Sequence, residues 1–392
     1  MATQYKSGDI LEVRIERIVP RGPGISFADG LTVFTPLTAP GDVARVELRE
    51  IRKRIAFAEL VEITSGGPSR VPPGCQYFGR CGGCDFQQLD HPAQLSAKVD
   101  IIRDCLHRIA KIDIDNITII PSPHEFEYRS RSRWHLDRAT KKIGYFARDS
   151  HEVVDIGSCP KLTPALDRTL GELRQRIEWD SFWSDEFEIE AAEGDGGISM
   201  FSAEFADPPD EITSAVAGES FTYTAETFFQ ANRGLAAKLV EAAVGDAHGA
   251  TALDLYSGVG LFALPLARRF AKVIGVEENS RAVEFARRNA AAAGLGNIEF
   301  VDSGVGSYLL SHTADKPDLV LLDPPRAGTE KRTIGLIGQL GPKRVSYVSC
   351  EPSILARDLR MLLDLGYKLT SVVALDLFPQ THHVETVVQL TL

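Results

Sequence analysis

No run of apolar residues in this chain approaches the ~18 that a membrane helix needs, and the opening MATQYKSGDILEV lacks the apolar core of a secretion signal. A cytoplasmic protein with no membrane partner is therefore expected. Cysteine is scarce as well: six in 392 residues are too few for a disulfide scaffold. Positive charge is not in excess either. The formal net charge of −11 runs against the basic balance that nucleic-acid phosphates favour. What remains is ordinary for a globular chain, with 44% hydrophobic and 25% charged residues. The length exceeds the ~250–300 residues that one core usually serves, so two or three domains are expected.

The scarce residues are unevenly placed. Cys75, Cys81 and Cys84 cluster, whereas Cys105, Cys159 and Cys350 stand apart, and clustering in a cytosolic chain points to metal. Cys105 sits among apolar neighbours on a predicted helix and reads as core. Charge is local too: from Arg129 to Arg148 seven basic residues face one acidic residue, Asp137. Trp134, Tyr145 and Phe146 are interleaved with them, a pattern that suits phosphate contacts plus stacking on unpaired bases. Arg52, Lys53 and Arg54 form a smaller basic group, while Glu172 to Glu219 is acidic and reads as a solvated face.

Four stretches follow along the chain. Residues 7–64 alternate short apolar strands with Gly and Pro signals, the pattern of a small β-barrel. SGGPSRVPPG, residues 65–74, reads as a linker, and the cysteine cluster follows it. From about residue 92 the periodicity AQLSAKVDIIRDCLHRIA predicts a helix, followed by the mixed patterns of an α+β domain. After about residue 233, strands alternate with helices, which predicts an α/β, doubly wound sheet.

Four motifs in that last region carry chemistry. Asp254-Leu255-Tyr256-Ser257-Gly258-Val259-Gly260 ends an apolar strand, where glycines let the backbone approach a cofactor. The next strand ends in Glu277, suited to ribose hydroxyls. The order GxGxxG is missing, which favours adenosylmethionine over a dinucleotide. Asp323-Pro324-Pro325-Arg326 ends the fourth strand, its prolines blocking an immediate helix and leaving the carboxylate free to face a planar base. Methyltransferases acting on exocyclic amines carry an aromatic residue after a similar Asp-Pro-Pro. Here Arg326 stands instead, so that chemistry is the alternative. The fifth strand presents Cys350 at the same edge. Thiolate addition at uracil carbon 6 would turn carbon 5 into a nucleophile able to take a methyl group. Alone, Cys350 would read as a small buried apolar residue. Glu385 opens the last strand, after Phe378-Pro379-Gln380-Thr381-His382-His383, and a carboxylate there suits removal of the carbon 5 proton.

Taken in order, these motifs resemble the RNA 5-methyluridine methyltransferases, in particular those with an iron–sulfur cluster, over essentially the whole chain. The resemblance implies a TRAM/OB-like RNA-binding barrel (1–64), a linker with the cysteine cluster (65–98), a central α+β domain completing the cluster site (99–232) and a Rossmann-like methyltransferase domain (233–392). By the same likeness Gln230, in Phe228-Phe229-Gln230-x-Asn232, would join Tyr256, Glu277 and Asp323 at cofactor or target base. Asp302 would take the adenine side, Phe228 would stack on bases, Cys350 would be the nucleophile and Glu385 the base. Cys75, Cys81, Cys84 and Cys159 would ligate a [4Fe-4S] cluster. Four thiolates also suit zinc, although the spacing lacks the paired short spacings of a zinc ribbon. One departure stands out: Ser257-Gly258-Val259-Gly260-Leu261 replaces a pattern often written Cys-Gly-x-Gly-Asn, so a polar cofactor contact at position 261 is absent or replaced. The expected partner is structured RNA, ribosomal ahead of transfer RNA, with no obligate protein partner evident. A non-catalytic RNA-binding or redox-sensing protein is the second alternative.

Overall fold

The computed structural model describes residues 5–312 and 316–392. Alternating burial builds the first unit: strands β1 (Ile10–Arg14), β2 (Arg17–Ile18), β3 (Gly24–Ala28), β4 (Leu31–Thr35), β5 (Val43–Arg52) and β6 (Ile55–Ser65) form one sheet in the order β1-β5-β6-β4-β3-β2. It curls until β1 meets β3 and encloses Val13, Ile15, Leu31, Val33, Val46 and Leu48. The segment expected to be a linker is docked onto this unit. Arg70 grips the fully buried Asp42 through Nε at 2.9 Å and Nη2 at 2.7 Å, and the Gly67 N–H donates to the same carboxylate. A Cβ at Gly67 would lie 2.2 Å from the Pro40 carbonyl oxygen, so only glycine fits there.

Helix α1 (His91–Cys105) starts where Asp90 accepts the Ala93 N–H and Pro92 occupies the first turn. Its buried Ile102 and Cys105, with Leu106 and Ala110 just beyond, pack on the last domain of the chain, and the short β7 (Thr118–Ile120) joins that domain's sheet. The expected domain boundary at residues 98 and 99 thus falls inside α1, because the helix's apolar stripe is completed by distant residues.

The central domain is a five-stranded sheet, β10-β9-β8-β11-β12, made of β8 (Arg131–Asp137), β9 (Lys142–Phe146), β10 (Val153–Asp155), β11 (Glu186–Glu193) and β12 (Ile198–Phe201), with α2 (Pro164–Arg176) against it. Its pairing revises the basic stretch. Antiparallel β11 sets Glu190 opposite Arg133 and Glu188 opposite His135, so Arg131 is ion-paired with Glu190 and Arg133 with Glu188 and Glu190. Arg138 meets Asp185 and Lys142 meets Glu152. Trp134 is fully buried in the core and Phe146 stacks on His135 at 3.7 Å. Much of what the sequence displays as a basic and aromatic ribbon is satisfied within the fold. A hairpin, β13 (Ile212–Val216) and β14 (Glu219–Tyr223), then leads to α3 (Arg233–Val244).

The remaining chain alternates β15 (Gly249–Leu255), α4 (Ala263–Ala267), β16 (Phe270–Glu277), α5 (Ser280–Ala292), β17 (Ile298–Asp302), α6 (Val305–Ser311), β18 (Leu319–Leu322), α7 (Lys331–Leu340), β19 (Arg344–Ser349), α8 (Pro352–Asp364), β20 (Lys368–Leu375) and β21 (Glu385–Thr391). The sheet runs β17-β16-β15-β18-β19-β21-β20-β7. Its first five strands are parallel and β21 is antiparallel to both neighbours. Burial on both faces explains the continuous apolar strands. Leu319 and Leu321 point into one core with α3, α4 and α5. Val320 and Leu322 point into the other, with α1, α6, α7 and α8. Among the described residues no helix is long and apolar enough to cross a membrane.

Candidate active site

Strand order reverses between β15 and β18, and such a switch point leaves a crevice beyond the strands' carboxyl ends. A cavity of about 610 Å³ opens there, walled by Tyr256, Glu277, Asp323, Cys350 and Glu385 from the sheet and by Phe228 and Gln230 from the segment before α3. The turn after β15 is tight, with left-handed φ of 66° at Tyr256, 53° at Gly258 and 99° at Gly260. Nothing lies within 4 Å of a Cβ built at Gly258, so the backbone is open to a ligand. Glu277 is oriented by this turn: its Oε2 accepts the Gly258 N–H at 3.0 Å and its Oε1 the Asn279 N–H at 2.9 Å. Each oxygen keeps a lone pair for a diol. The Tyr256 hydroxyl reaches Thr329 Oγ1 at 2.9 Å and ties the turn to the loop carrying Arg326. Asp302 sits beside Glu277 in register across β16 and β17, but is exposed and off the cavity wall.

The other half of the cavity is electrostatically unusual. Asp323 follows β18, and burial lifts its carboxyl from 3.8 to about 7. Glu385 lies across the cavity on β21. Burial, then the neighbouring Asp323, holds its carboxyl well above the usual range, while the Arg326 guanidinium acts the other way. Its Oε1 is buried with no hydrogen-bond partner. Burial, then Glu385, pushes the Cys350 thiol up to about 12, again opposed by Arg326. Arg326 is thus a cation acting on both Cys350 and Glu385, a role its sequence position did not reveal. His383 is pushed down to about 3 by burial, His382 and Arg326. Phe228 is 63% exposed on the rim, whereas Gln230 is buried. Arg131 has no side chain to spare for RNA: besides Glu190 it donates to the Ala225 and Thr227 carbonyls, both at 2.6 Å, and fixes the loop that presents Phe228 and Gln230.

Cys75, Cys81, Cys84 and Cys159 all open on a second, smaller cavity of about 30 Å³. The Gly83 N–H approaches Cys81 Sγ at 3.4 Å, and Lys161 Nζ donates to the Gly83 carbonyl at 2.5 Å. Burial raises the Cys81 thiol to about 11. Among the described residues no group of three or more His, Cys, Asp or Glu side chains is arranged to hold a metal ion as it stands. The convergence of four soft sulfur donors on one cavity is nevertheless the donor set that an iron–sulfur cluster or zinc takes. Arg129 lies between the two cavities and lines both. Cys105 lies elsewhere, buried at the end of α1.

A crevice at the switch point of a doubly wound sheet, with an acidic residue ending its second strand and a glycine turn after its first, defines a nucleoside-cofactor α/β enzyme of the methyltransferase class. Comparison with known proteins narrows this. A family model described as tRNA (Uracil-5-)-methyltransferase matches residues 210–392. The 23S rRNA (uracil(1939)-C(5))-methyltransferase RlmD of Alkalilimnicola ehrlichii is 32% identical over 427 residues, covering 96% of this chain and 95% of that one. An uncharacterized RNA methyltransferase of Thermosynechococcus vestitus is 30% identical, with 99% of both chains covered. The crystal structure of Pyrococcus abyssi tRNA (uracil-54, C5)-methyltransferase in complex with S-adenosyl-L-homocysteine matches with a TM-score of 0.76 at 26% identity, covering 97% of this chain and 100% of that one. The chain belongs to the RNA (uracil-5-)-methyltransferase family, and is an S-adenosylmethionine-dependent RNA methyltransferase.

Proposed function

We propose that this enzyme methylates carbon 5 of one uridine in ribosomal RNA through a covalent bond to Cys350. The single observation that carries the reading is the meeting of Cys350, Glu385 and Asp323 in one buried cavity with Arg326 as their counter-charge. Adenosylmethionine, held by Glu277, Tyr256 and the Gly258 backbone, supplies an electrophilic methyl group. Asp323 and Gln230 suit the polar edge of the uracil. Cys350 loses its proton to water and its sulfur bonds to carbon 6. The electron pair moves to carbon 5, which takes the methyl group as the methyl–sulfonium bond breaks, its electrons staying on sulfur to leave S-adenosylhomocysteine. Glu385 then accepts the carbon 5 proton, the bond between carbons 5 and 6 re-forms, and the thiolate leaves. Arg326 favours the anionic state of both groups.

Four cysteines around one cavity support a [4Fe-4S] cluster, which would tie the segment Cys75 to Cys84 to Cys159 as a structural element. The first sheet fits a TRAM-like RNA-binding unit, since Phe27 and Phe57 stand exposed on it and Arg52 lies over the Phe57 ring at 5.9 Å. Such faces stack on unpaired bases. Full-length likeness to enzymes named for 23S rRNA, at 31–32% identity against 26% for the tRNA enzyme, supports ribosomal RNA. Mass-spectrometric nucleoside mapping of RNA from a deletion strain tests this: one 5-methyluridine should vanish from 23S rRNA and return with wild-type protein but not with Cys350→Ala. Loss of a methylated amine, or of a transfer-RNA uridine, would refute the reading or its choice of RNA.

A further inference from the structure

Glu385 has no hydrogen bond of its own to fix its Oε1, so its position depends on the chain that delivers it. Glu385 is the first residue of β21, paired with Leu375 of β20, and the chain before it is the connection of residues 376–384, of which Leu377 to His383 is the part held from outside. Four consecutive carbonyls of this segment accept hydrogen bonds from four separate parts of the molecule. Asn232 donates to Leu377 O at 3.3 Å, the buried Lys98 of α1 to Phe378 O at 3.0 Å and the Tyr128 hydroxyl to Pro379 O at 2.9 Å. The Asp85 and Phe86 N–H groups donate to Gln380 O at 3.2 and 3.1 Å. Gln380 is held in the left-handed region, φ 68°, where a residue with a side chain rests only under outside constraint. Gln94 supplies part of that constraint, accepting the Gln380 N–H at 2.9 Å and donating to its side-chain oxygen at 3.1 Å.

One side chain grips this segment on the side nearest Glu385. The Asp85 carboxylate accepts the His382 N–H through Oδ1 at 2.8 Å and meets His382 Nδ1 through Oδ2. Asp85 follows Cys84 directly, so the cysteine loop and the loop delivering Glu385 form one hydrogen-bonded unit. The barrel closes over it: a Cβ built at Gly22 would lie 3.2 Å from Asp85 Oδ2 and 3.1 Å from His382 Cβ.

We propose that Asp85 is a positioning residue for the proton-removal step, setting Glu385 through its two contacts with His382 and relaying to it the order of the neighbouring cysteine loop. The inference rests on Glu385 being the base. Cys350, by contrast, directly follows β19, and among the described residues it shares no hydrogen bond with Asp85, so the addition and methyl-transfer steps should be independent of it.

Quench-flow with methyl-labelled adenosylmethionine and a uridine-containing RNA fragment of the substrate, resolved on denaturing gels, separates the two phases. In Asp85→Ala the labelled protein–RNA adduct should form within about twofold of the wild-type rate. It should decay about tenfold or more slowly, since a misplacement of about 1 Å can cost on the order of 100-fold. Adenosylmethionine affinity by calorimetry should be unchanged. Asp85→Asn keeps an acceptor for the His382 N–H and should recover most of the decay rate. Wild-type decay in Asp85→Ala overturns the proposal, as does a parallel fall of formation and decay, which would mark a general structural defect. Should Asp85→Ala not fold, His382→Ala removes the side-chain half of the same contact and the same outcomes decide. Glu385→Gln run alongside separates the two claims: if it accumulates adduct and Asp85→Ala does not, only the role of Asp85 fails. If Glu385→Gln accumulates none, the assignment of the base fails first.

Discussion

At the residue scale, the cavity's chemistry follows from burying acids beside one cation. In the proposed mechanism proton removal needs Glu385 ionised, and because its carboxyl is held well above the usual range, turnover should still be climbing with pH where an ordinary carboxylate is already fully ionised. Arg326→Gln removes the charge that favours both the thiolate and the carboxylate, so the rising limb should move to higher pH; an unmoved limb would deny Arg326 this role. His383 is the other nearby base, but at about 3 it would accept a proton far less readily than Glu385. Stability carries a matching sign. Asp323 holds its proton to about 7 when folded and to 3.8 by its ordinary value. The folded state's advantage is therefore full below 3.8 and is lost as pH rises through about 7. Asp323→Asn cannot titrate, so its Tm should exceed the wild type's at pH 8 by more than at pH 4. Parallel melting curves across that range would show that Asp323 is not held protonated.

At the element scale, strands were far more legible than their partners. A run such as Leu319–Leu322 announces a strand buried on two faces, and the residues after each strand end (Tyr256, Asp323, Cys350) therefore reach one edge by topology alone. What the sequence hides is pairing. Arg131 and Arg133 look free until β11 brings Glu188 and Glu190 across from them, fifty-odd residues on. α1 looks like part of the central domain until Lys98 is seen buried against Asp376. That pair gives a measurable cost: Lys98→Met strands a buried carboxylate and should destabilise the fold by about 3 kcal/mol or more in urea melts. A change under 1 kcal/mol, roughly a surface pair's worth, would show that His91, which also meets Asp376 at 2.8 Å, suffices alone. The cysteine loop is a further element-scale case. Protein purified without oxygen should be brown and hold iron and sulfide, and Cys81→Ser should lose both; colourless protein with stoichiometric zinc would replace the cluster by zinc.

At the scale of the whole molecule, the candidate site is not walled by the last domain alone, since Arg131 and Arg133 of β8 also line its cavity. The region matched by the family model begins at residue 210, yet β7 covers the open edge of β20 and α1, with the turn after it, covers α8 on one side of the sheet, both from before that residue. A fragment of residues 210–392 should therefore expose Leu355, Leu359 and the β20 edge and aggregate, whereas the full chain stays monodisperse by light scattering. A soluble, cofactor-binding fragment would show those contacts to be dispensable. The central claim concerns two residues that this architecture brings together from different strands, Cys350 on the nucleophile's side and Glu385 on the base's. Its most direct test is mass spectrometry of the digested protein–RNA adduct formed by Glu385→Gln with adenosylmethionine. The account predicts a single peptide containing Cys350 that carries a methylated uridine, with turnover reduced on the order of 100-fold or more. An adduct on any other residue, or methylation at the wild-type rate by Cys350→Ala, would contradict it.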